Sequence, residues 1–176
     1  SSVEDLLKGI KDLAPIYFVT GNHELTSLAA TQYQELLALF QKYGVTDLDN
    51  DSVKLKKGGQ SITLYGRQYF SQYLTDSLPI ASDKDFDILL YHGSDNFKEI
   101  APYHYDLILS GHAHGGIVRL PIWGGIFGND GTFFPEYAGG EYTIGDATLI
   151  SSRGLGDASI PRFNNPPELV VIKLNP

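Results

Sequence analysis

The sequence predicts an α/β fold. An amphipathic helix runs straight into a buried strand near the N-terminus, helical and extended patterns keep alternating after it, and four of the five histidines follow apolar, strand-like runs. A chain of 176 residues is long enough to form one core, as a whole domain or as a large piece of one, without disulfides or a structural metal. Cysteine is absent, which excludes disulfide frameworks, thiolate zinc sites, iron–sulfur clusters and cysteine nucleophiles. Thirteen basic residues against 21 acidic ones give a formal charge of −8. Such a chain does not grip nucleic-acid backbone by charge alone. If it handles phosphate it needs a local positive charge, and a metal ion is the obvious source. No apolar run approaches the ~20 residues of a membrane-spanning helix.

Val3, Leu6, Leu7, Ile10 and Leu13 follow the i, i+3, i+4, i+7 spacing of a helix. Ser2 suits its N-cap, Asp5 its first turn, and Pro15 stops it. Ile16–Val19 then reads as a buried strand. A helix feeding a buried strand is the second half of a βαβ unit, so the expectation is a C-terminal piece of a longer chain. A second helix is expected from about Leu28 to Tyr43, with Tyr33, Leu36, Leu37 and Phe40 on one face. Gly44 suits its C′ position, where φ is positive. Strands follow at Val53–Leu55 and Ser61–Gln68, joined by a turn at Lys57-Gly58-Gly59. Asp87–Tyr91 and Asp106–Ser110 read as buried strands. Glu141–Ile144 with Ala147–Ser151 reads as a hairpin, and Leu169–Leu174 as a last strand. Gly115–Gly140 is Gly- and aromatic-rich without clear periodicity, a long loop of the functional or mobile kind. Its apolar stretch Ile117–Phe134 suits a greasy substrate, a lipid surface or a protein partner, or else a satellite cluster packed on the core.

His23 stands in Gly21-Asn22-His23-Glu24, His92 ends Ile88-Leu89-Leu90-Tyr91-His92, and His112 and His114 follow Leu107-Ile108-Leu109-Ser110-Gly111. In α/β sheets ligands bind just beyond the carboxyl ends of the strands. Four histidines are therefore expected on one sheet edge, and neutral imidazole is the commonest ligand for transition metals. If the segment is extended, His112 and His114 point the same way. His104 lacks this context and reads as structural. Asp47, Asp49 and Asp51 alternate like an EF-hand loop, but Ser52 and Gly58 stand where that loop needs Gly and Glu, so they read as a polar turn. Arg153 and Arg162 suit bidentate phosphate contacts or, equally, surface pairing with carboxylates. No Asp–His relay accompanies Ser94. Glu24 suits a helix-start acid or a partner of the ligands better than a base.

Gly21-Asn22-His23-Glu24, then His92, then Gly111-His112-Ala113-His114-Gly115-Gly116 resembles the later part of the signature of the calcineurin-like metallophosphoesterase family. The tail, Ser152-Arg153-Gly154-Leu155-Gly156, Pro161-Arg162-Phe163-Asn164-Asn165 and Pro167-Glu168, is similar to a bacterial branch of membrane-associated or exported phosphohydrolases. The resemblance implies that residues 1–176 are the C-terminal portion of a single domain. The fold would be part of a four-layer αββα sandwich lacking its N-terminal strands. The family's earlier motifs, D-x-H and G-D-x-x-D, do not occur in this sequence, and Ile117 stands where the branch carries Gln. By resemblance Asn22, His92 and His112 would ligate one metal, His114 a second, and His23 would be general acid or charge stabiliser. The cofactors implied are two divalent transition metals (Mn, Fe or Zn), which clamp a phosphoester while an acidified water attacks phosphorus in line. The implied partners are a phosphoester substrate, the upstream half of the protein or a second copy of the chain, and a membrane surface. The implied location is bacterial, cytoplasmic or membrane-peripheral. The rival expectation is a non-catalytic metal-binding or assembly remnant.

Overall fold

The computed structural model describes residues 2–69, 78–82, 85–128, 131–156 and 161–175. The elements run α1 (Ser2–Ile10), β1 (Ile16–Phe18), α2 (Asn22–Thr26), α3 (Ala30–Lys42), β2 (Val45–Asp47), β3 (Ser52–Lys57) and β4 (Gln60–Arg67). They continue with β5 (Phe86–Gly93), α4 (Phe97–Ile100), a 3-10 turn (Ala101–Tyr103), β6 (Leu107–Gly111), β7 (Val118–Leu120), β8 (Gly124–Phe127), β9 (Gly140–Ile144) and β10 (Ala147–Ser151).

A six-stranded mixed sheet in the order β3-β4-β5-β6-β10-β9 forms the centre. Its inner strands β4, β5, β6 and β10 are parallel, and β3 and β9 add antiparallel edges through hairpins. β5 and β6 are continuous apolar runs because both of their faces are covered. Side-chain alternation sends Ile88 and Leu107 to one core with Leu48 and Leu64, joined by Tyr17 and Val19 from the β1 segment. Leu89, Tyr91 and Ile108 go to the other core, with Phe97 and Ile100 of α4. β1 and β2 pair in parallel as a separate two-stranded sheet. α3 packs on that sheet's far side, where Phe40 meets Phe18 at a ring separation of 4.5 Å. The layers are therefore helices, small sheet, large sheet, helix.

Gly66 fixes the approach of the two sheets. A Cβ added there would lie 2.1 Å from the Leu48 carbonyl oxygen and 2.5 Å from Leu48 Cβ. Backbone cannot yield that far, so Gly66→Ala is expected to destabilise by about 3 kcal/mol. A thermal melt reads this directly, and an unchanged midpoint would contradict the packing.

Several elements depart from the sequence-based expectations. Leu169–Leu174 is not a strand. It runs beyond Glu168 with no ladder partner among the described residues, and Leu169 and Val171 are 76% and 86% exposed. Its apolar alternation is suited to a sheet, but a strand exists only through its neighbour. Of the segment Gly115–Gly140, residues 129 and 130 lie outside the described residues, and the rest is not a plain loop. β7 and β8 pair antiparallel across a turn whose Ile122 has φ 75°. The apolar stretch divides. Ile117 is fully buried, whereas Ile122, Trp123, Phe133 and Phe134 are exposed. Among the described residues, no helix is long and apolar enough to cross a membrane.

Candidate metal centre

Asn22 follows β1 in the small sheet, while in the large one His92 is the next-to-last residue of β5 and the His112 turn follows β6. All three leave the carboxyl ends of their strands, and the two sheets bring them together. Thr20 is fully buried. Its N–H and hydroxyl both donate to Asp49, at 2.9 and 2.6 Å. The Gly21 N–H donates to Glu24 Oε2 at 2.8 Å and closes the start of α2. Asn22 thereby follows directly on two anchored residues, Thr20 and Gly21. The β5–β6 ladder breaks after Leu90 and resumes at Gly93. Such irregularities re-aim side chains, here His92.

Asn22 Oδ1 lies 3.0 Å from His92 Nε2 and 3.3 Å from His112 Nδ1. The two imidazoles meet edge to face at 5.2 Å, and Tyr69 packs on both, at 5.6 Å from His92 and 5.3 Å from His112. Two donors each about 2.1 Å from one ion lie about 3.0–3.4 Å apart. Both observed separations, which are hydrogen-bond contacts here, fall in that span, so each pair is compatible with sharing one transition-metal ion. The fit depends on the Asn22 amide: among the described residues, no three of His, Cys, Asp and Glu group to hold an ion. Burial, followed by the charges of His112, His114 and His23, pushes His92 down to about 4. It therefore stays neutral at physiological pH, as a ligand must.

His114 has a different environment. Arg162 Nη2 stands 3.3 Å from its Nδ1. Burial and then that guanidinium lower its pKa. Among the described residues the ring belongs to no group of three or more His, Cys, Asp or Glu, and a guanidinium stands beside it, which does not suit a second metal within this chain. His23 is exposed on α2, its Nδ1 3.2 Å from Ser27 Oγ. His104 is exposed in the turn before β6, at the opposite end of that strand. Arg153 is taken up by Glu168, which accepts from its backbone N–H at 3.1 Å and its guanidinium at 2.8 Å. Arg162 donates to the carbonyls of Gly154 and Gly156, and its buried Nε has no partner among the described residues.

The turn carrying His112 and His114 is not extended. Both residues are left-handed, with φ 67° and 49°. The conformation is costly for a side-chain-bearing residue, and strain of this kind gathers at functional sites. Asn165 was not singled out from the sequence, although it stands in the quoted tail. It is 3% exposed, and its Nδ2 donates to the carbonyls of His114 at 2.6 Å and Ile117 at 3.3 Å. It is the clasp on the turn. Asp49 holds Thr20 in the same way, and nothing in its polar-turn context signals the role. Tyr69 likewise carries no local motif.

His92 also predicts an acid-side stability loss. Its folded pKa, about 4, lies below the unfolded value of about 6.5. The unfolded chain therefore binds the proton first, and this share of stability is intact above about pH 6.5 and lost as pH falls toward 4. Denaturant melts of wild type and His92→Gln across that range should converge as the pH drops. A constant difference would contradict the burial of the ring.

Residues 1–116 match the family model for calcineurin-like phosphoesterases. The metallophosphoesterase YkuE of Bacillus subtilis, itself uncharacterized, is 38% identical over 53% of this chain and 32% of its own length. Phosphodiesterase YaeI of Escherichia coli is 25% identical over 99% of this chain and 63% of its own length. The chain thus spans between about a third and just under two thirds of these relatives. The structure of sulfate thiohydrolase SoxB from Thermus thermophilus superposes with a TM-score of 0.50 at 17% identity, over 86% of this chain and 30% of that one. The family model covers more than half of the sequence, and the strand-end Asn and His residues lie inside it or at its boundary: the chain belongs to the calcineurin-like phosphoesterase family.

Proposed function

We propose that this chain carries the later half of the catalytic site of a divalent-metal-dependent phosphoesterase, acting on a monoester or diester. The observation that supports this most is the convergence of His92 Nε2 and His112 Nδ1 on Asn22 Oδ1. Asn22, His92 and His112 hold the ion (Mn, Fe or Zn), because an amide oxygen and two neutral imidazoles suit such metals better than Ca. When bound, the metal polarises the phosphoryl oxygens and acidifies a water. Asn22 contributes an oxygen without negative charge, which keeps the site receptive to an anion. His23, exposed beside Asn22, protonates the leaving oxygen or steadies its charge. Arg162 stands beside His114 and offers its guanidinium to a phosphate oxygen, whereas Arg153 is committed to Glu168 and plays a supporting part. His114 joins a second ion only where a carboxylate from outside this sequence completes that position.

The test is hydrolysis of bis(p-nitrophenyl) phosphate by this chain joined to a segment bearing D-x-H and G-D-x-x-D. Turnover should require Mn²⁺ and stop in EDTA. His23→Ala should lower kcat by about 10²–10⁴ with metal content unaltered. Equal turnover with and without EDTA would refute the metal-dependent reading.

A further inference from the structure

We propose that the cavity beside His112 receives the non-phosphate arm of the substrate and selects an arm that is uncharged and aromatic or aliphatic. This rests on the phosphoesterase reading above. The cavity measures about 380 Å³, within the range of small-ligand pockets, and His112 is part of its lining. The same ring stands 3.3 Å from Asn22 Oδ1. A phosphate held at the metal centre therefore has this cavity as its neighbour.

Three aromatic side chains, Phe133, Phe134 and Tyr137, supply much of the wall. Tyr137 is buried in the core beneath. Phe133 and Phe134 are 72% and 62% exposed, so they hold apolar surface that an occupant would cover. Neither is loosely placed. Phe133 packs edge-on against Phe127 at 5.4 Å. Phe134 donates its N–H to the Ile126 carbonyl at 2.7 Å and is held at φ 54°, a conformation rare for a bulky residue. Strained residues of this kind cluster at ligand clamps.

Charge decides what kind of arm fits. No Lys or Arg is among the described lining residues, which include the carboxylates of Asp95 and Glu136. Glu136 is paired with Lys98 at 2.7 Å, which leaves Asp95 as the exposed charge at the mouth. A second phosphate or a carboxylate on the arm would meet Asp95 and a Glu136 already paired with Lys98, with no Lys or Arg among the described lining residues to bind it. An aryl or alkyl group would meet three rings.

The experiment compares 1-naphthylphosphonate, methylphosphonate and phosphonoacetate, none of them hydrolysable, binding to the 176-residue chain in the presence of Zn²⁺ by calorimetry. Withdrawing about 60 Å² of apolar area from water is worth about tenfold, so the naphthyl compound should bind at least about tenfold tighter than the methyl one. Phosphonoacetate should bind no tighter than methylphosphonate. In the Phe133→Ala, Phe134→Ala variant the naphthyl preference should fall to within about twofold, with zinc affinity unchanged and the chain still folded by its melt. Equal affinity of the naphthyl and methyl compounds would overturn the proposal. So would a preference that survives in the variant, tighter binding of phosphonoacetate, or no naphthyl binding at millimolar concentration. The zinc titration reads the metal centre separately. A chain that binds no zinc but keeps a naphthyl preference dependent on the two phenylalanines removes the metal reading and leaves the cavity assignment standing.

Discussion

The His92→Ala, His112→Ala variant is expected to bind Zn²⁺ or Mn²⁺ at least about 1,000-fold more weakly than the wild type. Three donors converge in the folded chain, and two of them are removed. The remaining Asn22 amide is a weak ligand that water displaces. No proton competes for His92 in the wild type near neutral pH, because burial holds it at about 4. The full affinity should therefore be present at pH 7 and should drop with each imidazole. Competition against a fluorescent chelator measures this, and single variants should fall between. The fold should survive, since both rings are only half-buried, at the carboxyl ends of the inner strands. A melt of the double variant checks that lost binding is not lost structure. Undiminished affinity in a folded double variant would show that the ion sits elsewhere.

The second large effect concerns turnover. This chain alone should hydrolyse bis(p-nitrophenyl) phosphate at least about 100-fold more slowly than the same chain joined to a segment bearing D-x-H and G-D-x-x-D. Two-metal hydrolysis holds its ions about 3.5–4 Å apart, and two dications that close need an anion between them. None of the donors available here, Asn22 and the histidines, is an anion. His114 has the Arg162 guanidinium 3.3 Å away in place of a carboxylate. Equal turnover by the two forms would mean that this chain completes its own site.

Much of the architecture was legible because the strongest signals are long and apolar. β5 and β6 stand out as uninterrupted runs, and α3 carries its face over 13 residues with Gly44 at its end. The histidines were placed by the rule that α/β sheets bind ligands beyond strand ends, which puts residues 70 and 90 positions apart onto one amide oxygen. What escaped was short or depended on a neighbour. β2 contributes one apolar residue, Val45, and exists because β1 lies beside it. α2 is five residues long, and its signal was the Gly21–Glu24 pair at its start. α4 and its 3-10 extension were signalled by Phe97, Ile100 and Pro102 but span only two turns. The β7–β8 hairpin turns at Ile122, a β-branched residue that no turn rule favours there. Leu169–Leu174 shows the converse, a strand-like pattern that finds no ladder among the described residues. An H-x-H spacing aims both rings one way only in an extended segment, and the sequence does not say whether His112–His114 is one. In the structure, left-handed backbone at both residues and the Asn165 clasp set their orientation instead.

Metal content per chain tests the centre most directly. The 176-residue protein is equilibrated with Zn²⁺ or Mn²⁺, dialysed, and assayed by elemental analysis beside the His92→Ala, His112→Ala variant. One equivalent per wild-type chain and none in the variant is the expected result, since Asn22, His92 and His112 converge on one position while His114 faces a cation. Two equivalents per chain, none at all, or one retained by the variant would contradict it.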